Sequence, residues 1–440
     1  MRKRRATPAQ GAVRHPGERL GGATGHGPGF VASGGSSAAV EGRAATPAGQ
    51  RVRAPVTRRG TKTRERLLER GAQAFTREGF HAVSVASICR AARVANGTFY
   101  QYFPDKLALF QALVERLRQA FHTALQGARG IDQTAQRLFD VFDEAGSLFQ
   151  IYREAEFLAV PHPRRTFYDE AVGRLAAALD VDEGTAWGVF GALVMAGLHF
   201  GVWEGRSVPS AIREEMIEVV ARGIAAGRDS PWQDLAWPAP PPPVVEAVPL
   251  GKGEQTRRAL VAMARRLFAG QGYAATHVAQ IAAAAGVGLG TFYGHFGGKR
   301  ELLAHLTESI REEMRTWVRA AAAGAEDHPL EAERRIFLAF LGYIRQHGDV
   351  YRIVREAEFA EPEIGRRYYH GIHADRIVFL SRAQALGQVR PGNPAVQACY
   401  LMGVEALAGL RWVLWHEGDR LPADGLRATL RLIFHGLAAG

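Results

Sequence analysis

VASICRAARVANGTFYQYFPDKLAL at residues 85–109 and VAQIAAAAGVGLGTFYGHFGGKREL at residues 278–302 are two versions of one segment. The match extends outward. Residues 61–110 align with 254–303 without a gap, at an offset of 193, and 19 of the 50 positions are identical. Identity at a fixed offset over that length marks an internal duplication. Each version reads as three helices. Leu67, Leu68, Gly71 and Phe75, with Leu260, Val261, Ala264 and Phe268 in the second copy, trace one apolar face of the first helix. Thr63 or Thr256 is placed to cap its start, and Gly79 or Gly272 its end. A second short helix, capped by Ser84, runs through Val85, Ile88 and Ala92. A third begins near Asn96 and carries Phe99, Tyr100 and Phe103. Pro104-Asp105, or Gly297-Gly298, then breaks the chain before a long helix from Lys106 or Lys299. Phe99, Phe103, Phe292 and Phe296 read as core.

Two short helices about a tight turn, braced by a preceding helix, form a helix-turn-helix, whose last helix suits the DNA major groove. The runs TFYQYFPDKLAL (98–109) and TFYGHFGGKREL (291–302), with VASICRAARVANG and VAQIAAAAGVGLG ahead of them, resemble the signature of TetR-family repressors. The resemblance implies an all-α chain of two tandem TetR-like units. Each would be a three-helix DNA-binding domain plus a helical ligand-binding and dimerisation domain. It also implies DNA contacts at Thr63, Arg64, Thr98, Tyr100, Tyr102 and Lys106, and at Thr256, Arg257, Thr291, Tyr293, His295 and Lys299. Hydroxyls and cations of this kind position a protein on phosphates. Base reading falls to exposed residues at 95–97 and 101, where Asn96 and Gln101 have amides able to bond adenine bidentately. The second copy offers Gly288, Leu289, Gly290 and Gly294 in that region, so the first copy is expected to carry more sequence specificity. Arg93 also replaces the family's turn glycine, which the second copy keeps as Gly286.

The expected organisation is a disordered basic tail at 1–57, DNA-binding domains at 58–108 and 252–301, and helical effector and dimerisation domains at 109–229 and 302–440. A Pro-rich linker at 230–251 joins the copies and would span ~60 Å at about 3.1 Å per residue. Each copy ends in two apolar helices rich in small residues, 185–204 with 211–227 and 394–416 with 423–438. In TetR-like proteins such a pair builds a four-helix dimer interface. One chain with two copies can close it internally as a pseudo-dimer, which we favour over a homodimer. The partners implied are a pseudo-palindromic double-stranded operator and a small apolar effector. Pocket candidates are the aromatics Phe142, Phe149, Tyr152 and Phe157, and Phe340, Tyr343, Tyr351 and Phe359. REAEF recurs at 153–157 and 355–359, and Arg153 with Glu156 reads as a surface ion pair at helical spacing.

Charge supports DNA binding only weakly. The net charge is +11, but residues 1–60 hold eleven basic residues against two acids, leaving 44 basic and 42 acidic over the rest. Two cysteines in 440 residues imply a reducing, cytoplasmic setting rather than a disulfide framework. The most apolar stretch, Gly188 to Trp203, falls short of the roughly 20 residues of a membrane span and reads as a buried helix. No cofactor or metal is expected. His370 and His373 share helical spacing but lack further ligands in sequence, and GVGLG at 286–290 follows a helix rather than a strand. No convergent acid–base cluster points to an enzyme. The alternatives are a helical ligand-binding enzyme and a DNA-coating protein acting through its tail, with steep salt dependence.

Overall fold

The computed structural model describes residues 57–155, 166–225, 251–416 and 422–439, with isolated positions of the linker. The tail at 1–56 and Phe157 lie outside them. The described chain is all helical, and its one β pairing is an isolated bridge between Val389 and Ala438.

The first half runs α1 (Arg58–Ala82), α2 (Val85–Ala92), α3 (Asn96–Phe99), α4 (Lys106–Leu125), α5 (Gly130–Ala155), α6 (Thr166–Leu179), α7 (Glu183–Ala196) and α8 (Ser210–Ala225). The second repeats it as α9 (Lys252–Gln271), α10 (Val278–Ala284), α11 (Leu289–His295), α12 (Lys299–Ala322), α13 (Pro329–Gln346), α14 (Gly348–Ala360), α15 (Pro362–Ala385), α16 (Pro394–Ala408) and α17 (Ala423–Leu437). The extra helix is a matter of degree. α5 bends at Ala145, and His347, 202 positions on, separates α13 from α14. Both α7 and α16 continue as a π-helical turn, Gly197–Val202 and Gly409–Leu414.

Local rules explain most boundaries, with two corrections. α1 starts five residues before Thr63: Thr57 is its cap, its hydroxyl accepting from the Gly60 amide at 3.1 Å. Thr63 and Thr256 sit inside their helices and donate back to the carbonyls of Arg59 and Lys252 (both 3.0 Å), a bond available to any mid-helix threonine. Gly79 (φ 73°) and Gly272 (φ 90°) do end their helical runs, in a region that favours glycine. Ser84 caps α2 through a reciprocal pair with Ser87. Arg93 takes the left-handed conformation (φ 53°) that Gly286 takes in the second copy.

The two halves meet along α7, α8, α16 and α17, which pack as a four-helix bundle within one chain. Small residues permit the closest approach. A Cβ on Gly191 would stand 2.2 Å from the Gly403 carbonyl oxygen, and one on Gly403 2.1 Å from that of Gly191. Around this contact Leu432 fills the space over Gly188 and Gly223. Arg431 donates to Asp182 (2.6 Å) and Arg411 to Glu183 (3.0 Å) across the same seam. This burial resolves the apolar stretch. It is a continuous helix, Glu183–Val202, long and apolar enough to cross a membrane and longer than the sequence suggested because Asp182 caps it early. Of its most apolar 18 residues 94 % are buried inside the protein. Most of the linker is outside the described residues. At Trp232 it does not stand off as a spacer but packs on Phe434, with ring centroids 5.0 Å apart.

Gly403→Ala tests the seam. A helical Gly→Ala change alone is worth about 0.5–1 kcal/mol of stability, whereas forcing atoms into a packed contact costs typically 1–3 kcal/mol. Here the obstacle is backbone, so the clash wins and the urea midpoint falls. A midpoint at or above the wild-type value would show that α7 and α16 do not touch there.

Candidate nucleic-acid interface and the cavity behind it

Each head is built on the same internal scaffold. Phe99 and Phe103, like Phe292 and Phe296, are buried, as their spacing predicts. Their burial turns the intervening side chains outward. Asn96 and Gln101 are exposed, Tyr100 is 36 % exposed, and Thr98 and Tyr102 are half-buried. In the second head Thr291 is exposed, Tyr293 is 57 % exposed and His295 half-buried. Leu289, at 48 %, adds an exposed apolar side chain at the start of α11 that the sequence reading passed over. Three of the five exposed large hydrophobics of the described chain therefore lie on α3–α11 surfaces. The third helix of the first head is shorter than expected. α3 ends at Phe99, and the following turns close through three-residue bonds such as Gln101 N–H to Thr98 C=O (3.3 Å).

The lysines expected on phosphate have an internal task. Lys106 Nζ donates to the carbonyls of Phe80 and Val83 (2.6 and 2.7 Å) and lies 4.3 Å from the Phe80 ring centroid. Lys299 Nζ repeats this with Tyr273 and Thr276 (2.7 and 2.8 Å), 4.2 Å from the Tyr273 ring centroid. Burial lowers both ammonium pKa values. Each lysine ties the end of one helix to the start of the next, so two of its three donors are committed. Arg64 and Arg257 likewise stand over Phe103 and Phe296, both 5.3 Å from the centroid, and Thr63 is buried.

The heads are gripped from behind by the REAEF segments, whose roles the sequence reading missed. Glu154 Oε1 accepts from the Phe80 amide at 2.7 Å, and Glu356 Oε1 from that of Ala274 at 3.4 Å. Arg352, on α14, donates to the last carbonyls of α9, Ala269 and Gly270 (3.0 and 3.1 Å). Arg153 is not a surface residue. It is buried, and its guanidinium forks onto Glu358 of the other copy at 2.6 to 3.1 Å, while Tyr369 donates to the same carboxylate at 2.6 Å. Glu156 lies outside the described residues. Recurrence of REAEF in both copies was the available signal, since a solvated pair has no reason to be duplicated intact.

Behind the second head lies a cavity of ≈ 410 Å³. Phe340 and Tyr351 line it, together with Met314, Phe379 and Leu410, and Met195 from α7 reaches in from the other half. Arg376 sits in its wall, bonded to Glu333 (2.6 Å) and to Glu405. The other described pocket candidates are buried. Tyr343 and Phe359 are buried away from the cavity. Phe142, Phe149 and Tyr152 join Phe121, Phe167 and Phe190 in one aromatic cluster, with centroids about 4.4 to 6.4 Å apart.

The family profile described as "Bacterial regulatory proteins, tetR family" matches twice, at residues 67–113 and 260–306. The probable HTH-type transcriptional regulator ArpR of Pseudomonas putida is 36 % identical over 184 residues, 39 % of this chain and 87 % of that protein. The chain belongs to the TetR family. UidR of Escherichia coli (strain K12), an HTH-type transcriptional regulator, is 31 % identical over 87 residues, and this TetR chain spans 44 % of its length. A TetR-family crystal structure from Shewanella sp. PV-4 superposes with a TM-score of 0.37 at 21 % identity, covering 42 % of this chain and 99 % of that one. The two profile matches are themselves 193 residues apart, the offset of the duplication.

The Glu154 anchor should be legible in pH. Burial raises its carboxyl from the ordinary 4.5 to about 7, against the opposing Phe80 amide and Lys106. The folded state therefore holds this proton more tightly than the unfolded chain. The stabilisation it brings is complete below the ordinary carboxylate range and is lost as pH rises through about 7. Glu154→Gln keeps an acceptor for Phe80 and should flatten that fall in urea midpoints. Unchanged slopes in wild type and variant would reject the buried anchor.

Proposed function

We propose that this TetR-family chain is a cytoplasmic, ligand-responsive DNA-binding transcriptional regulator, acting as a repressor. Its two heads would occupy the halves of a pseudo-palindromic operator, and a small apolar effector in the second half would release it. One observation carries this reading: α14 serves both ends of the switch. Val350, Tyr351 and Val354 face the cavity, while Arg352 and Glu356 of the same helix hold the end of α9 and the turn beyond it. A ligand that favours a different setting of α14 would shift the second head relative to the first. By linkage it weakens operator binding only as far as it prefers that setting.

The two heads would read DNA differently. Asn96 and Gln101 supply hydrogen-bonding amides, Tyr100, Tyr102, Tyr293 and His295 supply phosphate contacts, and Leu289 supplies an apolar contact suited to a thymine methyl. Thr98 and Thr291 stand at the helix starts, within reach of phosphate. The lysines would contribute through the third donor left after their carbonyl bonds.

Anisotropy titration of the full chain on its own upstream DNA and on a scrambled duplex tests the proposal. A specific regulator prefers the former by at least ~10³-fold. Asn96→Ala should remove about 1–3 kcal/mol of that discrimination, whereas Tyr293→Phe should weaken both duplexes alike. Equal affinity for the two duplexes, lost on deleting residues 1–55, would favour the DNA-coating alternative.

A further inference from the structure

His370 and His373 share one face of α15, and sequence alone gives them no further ligand. The fold does. His199, in the π-helical turn after α7, arrives from the other half of the chain, and Cys399 arrives from α16. The ligand atoms of His199, His373 and Cys399 all lie within 4.8 Å of one another, and all three residues are buried. The His199 and His373 ring centroids are 4.0 Å apart, and that of His370 is 5.1 Å from His199. His199 is 8 % exposed, packs against Phe200 and Trp203, and holds Nδ1 buried without a hydrogen-bond partner. An orphaned polar atom in an apolar wall needs an explanation. His373 Nε2 is 2.9 Å from the Ala395 carbonyl. A carbonyl only accepts, so that nitrogen carries the proton and Nδ1 keeps its lone pair, as in ligating histidines oriented by a backbone oxygen.

We propose that His199, His373 and Cys399 form a transition-metal site for zinc or a cation of similar softness, bridging the two halves of the chain, with exposed His370 or water in the fourth position. Two imidazoles and a thiolate are a ligand set suited to such ions. Metal–nitrogen bonds of about 2.0–2.1 Å and a metal–sulfur bond of about 2.3 Å require ligand atoms roughly 3.5 Å apart, a contraction within reach of side-chain rotation. On binding, the Cys399 thiol gives its proton to solvent as the sulfur–metal bond forms, and no electron is transferred. His370 opens the route from solvent. The second π-helical turn carries a different residue at the equivalent place. At the offset of 212 that relates the two π-helical turns, His199 corresponds to Arg411, which closes its side of the seam with Glu183 at 3.0 Å. One side of the pseudo-twofold is held by an ion pair, the other by a metal.

Cobalt(II) titration of the chelator-stripped full chain tests the assignment. The expected result is one equivalent bound, with tetrahedral d–d bands and a thiolate-to-cobalt charge-transfer band, both bleached by zinc. Cys399→Ala should abolish the charge-transfer band and His199→Ala should weaken binding at least tenfold, while His435→Ala, away from the cluster, changes neither. Absence of the charge-transfer band from folded wild-type protein overturns the proposal, as does its survival in Cys399→Ala. Should either variant fail to fold, X-ray absorption of the zinc-loaded wild type decides instead. One sulfur with two or three nitrogens supports the site, and a sulfur-free shell overturns it.

Discussion

The backbones of α7 and α16 approach at Gly191 and Gly403 so closely that neither position admits a Cβ. Everything else in the molecule is arranged around that contact. It brings together the terminal helices of two copies of one sequence, and it buries stretches that would otherwise be among the most apolar surfaces of each half. Linking the copies covalently makes the association independent of concentration, since the partner is always at hand. The Asp182–Arg431 and Glu183–Arg411 bonds at the edge of the seam fix its register, while buried apolar side chains such as Leu432 supply most of the energy.

A covalent pair is also free to become asymmetric, and this one has. The first half packs Phe121, Phe142, Phe149, Phe167 and Phe190 together, and in the second a cavity is walled by Phe340, Tyr351 and Phe379, with Met195 of the first half in its lining. The first head carries the amide side chains, and the second presents glycines and an exposed leucine. In a dimer of identical chains each such change would appear twice. Here the two copies differ while remaining covalently joined.

The joint itself runs through polar contacts in a dry setting. Arg153 and Glu358 pair across the halves with Tyr369 completing the carboxylate's bonds, and the neighbouring Glu154 and Glu356 reach the amides at the base of each head. Buried pairs of this kind add little net stability but tolerate little displacement, because a partner moved away leaves an uncompensated charge.

How much was legible in the residues follows from what a sequence can encode locally. Gly79, Ser84 and Phe99 announced their roles because capping, turn conformation and helical periodicity depend on near neighbours, and the repeat at 193 residues made the two-unit plan plain. The helix starts at Thr57 and Gly251 were missed because Thr63 and Thr256 satisfy their hydroxyls within the helix and mimic caps in one-dimensional pattern. Arg153 was misplaced, and the internal bonds of Lys106 and the mutual packing of Phe142 and Phe149 went unread, for a different reason. A lysine on a carbonyl, an arginine on a carboxylate 205 residues away and a phenylalanine filling rather than lining a space all have the same sequence signature as their alternatives. By itself, then, the sequence determined the helical class, the duplication and the face each head presents. Only the tertiary structure decided which residues wall the cavity, what holds the heads, and that His199, His373 and Cys399 meet, because those outcomes rest on contacts between segments whose order in the chain says nothing of their distance in space.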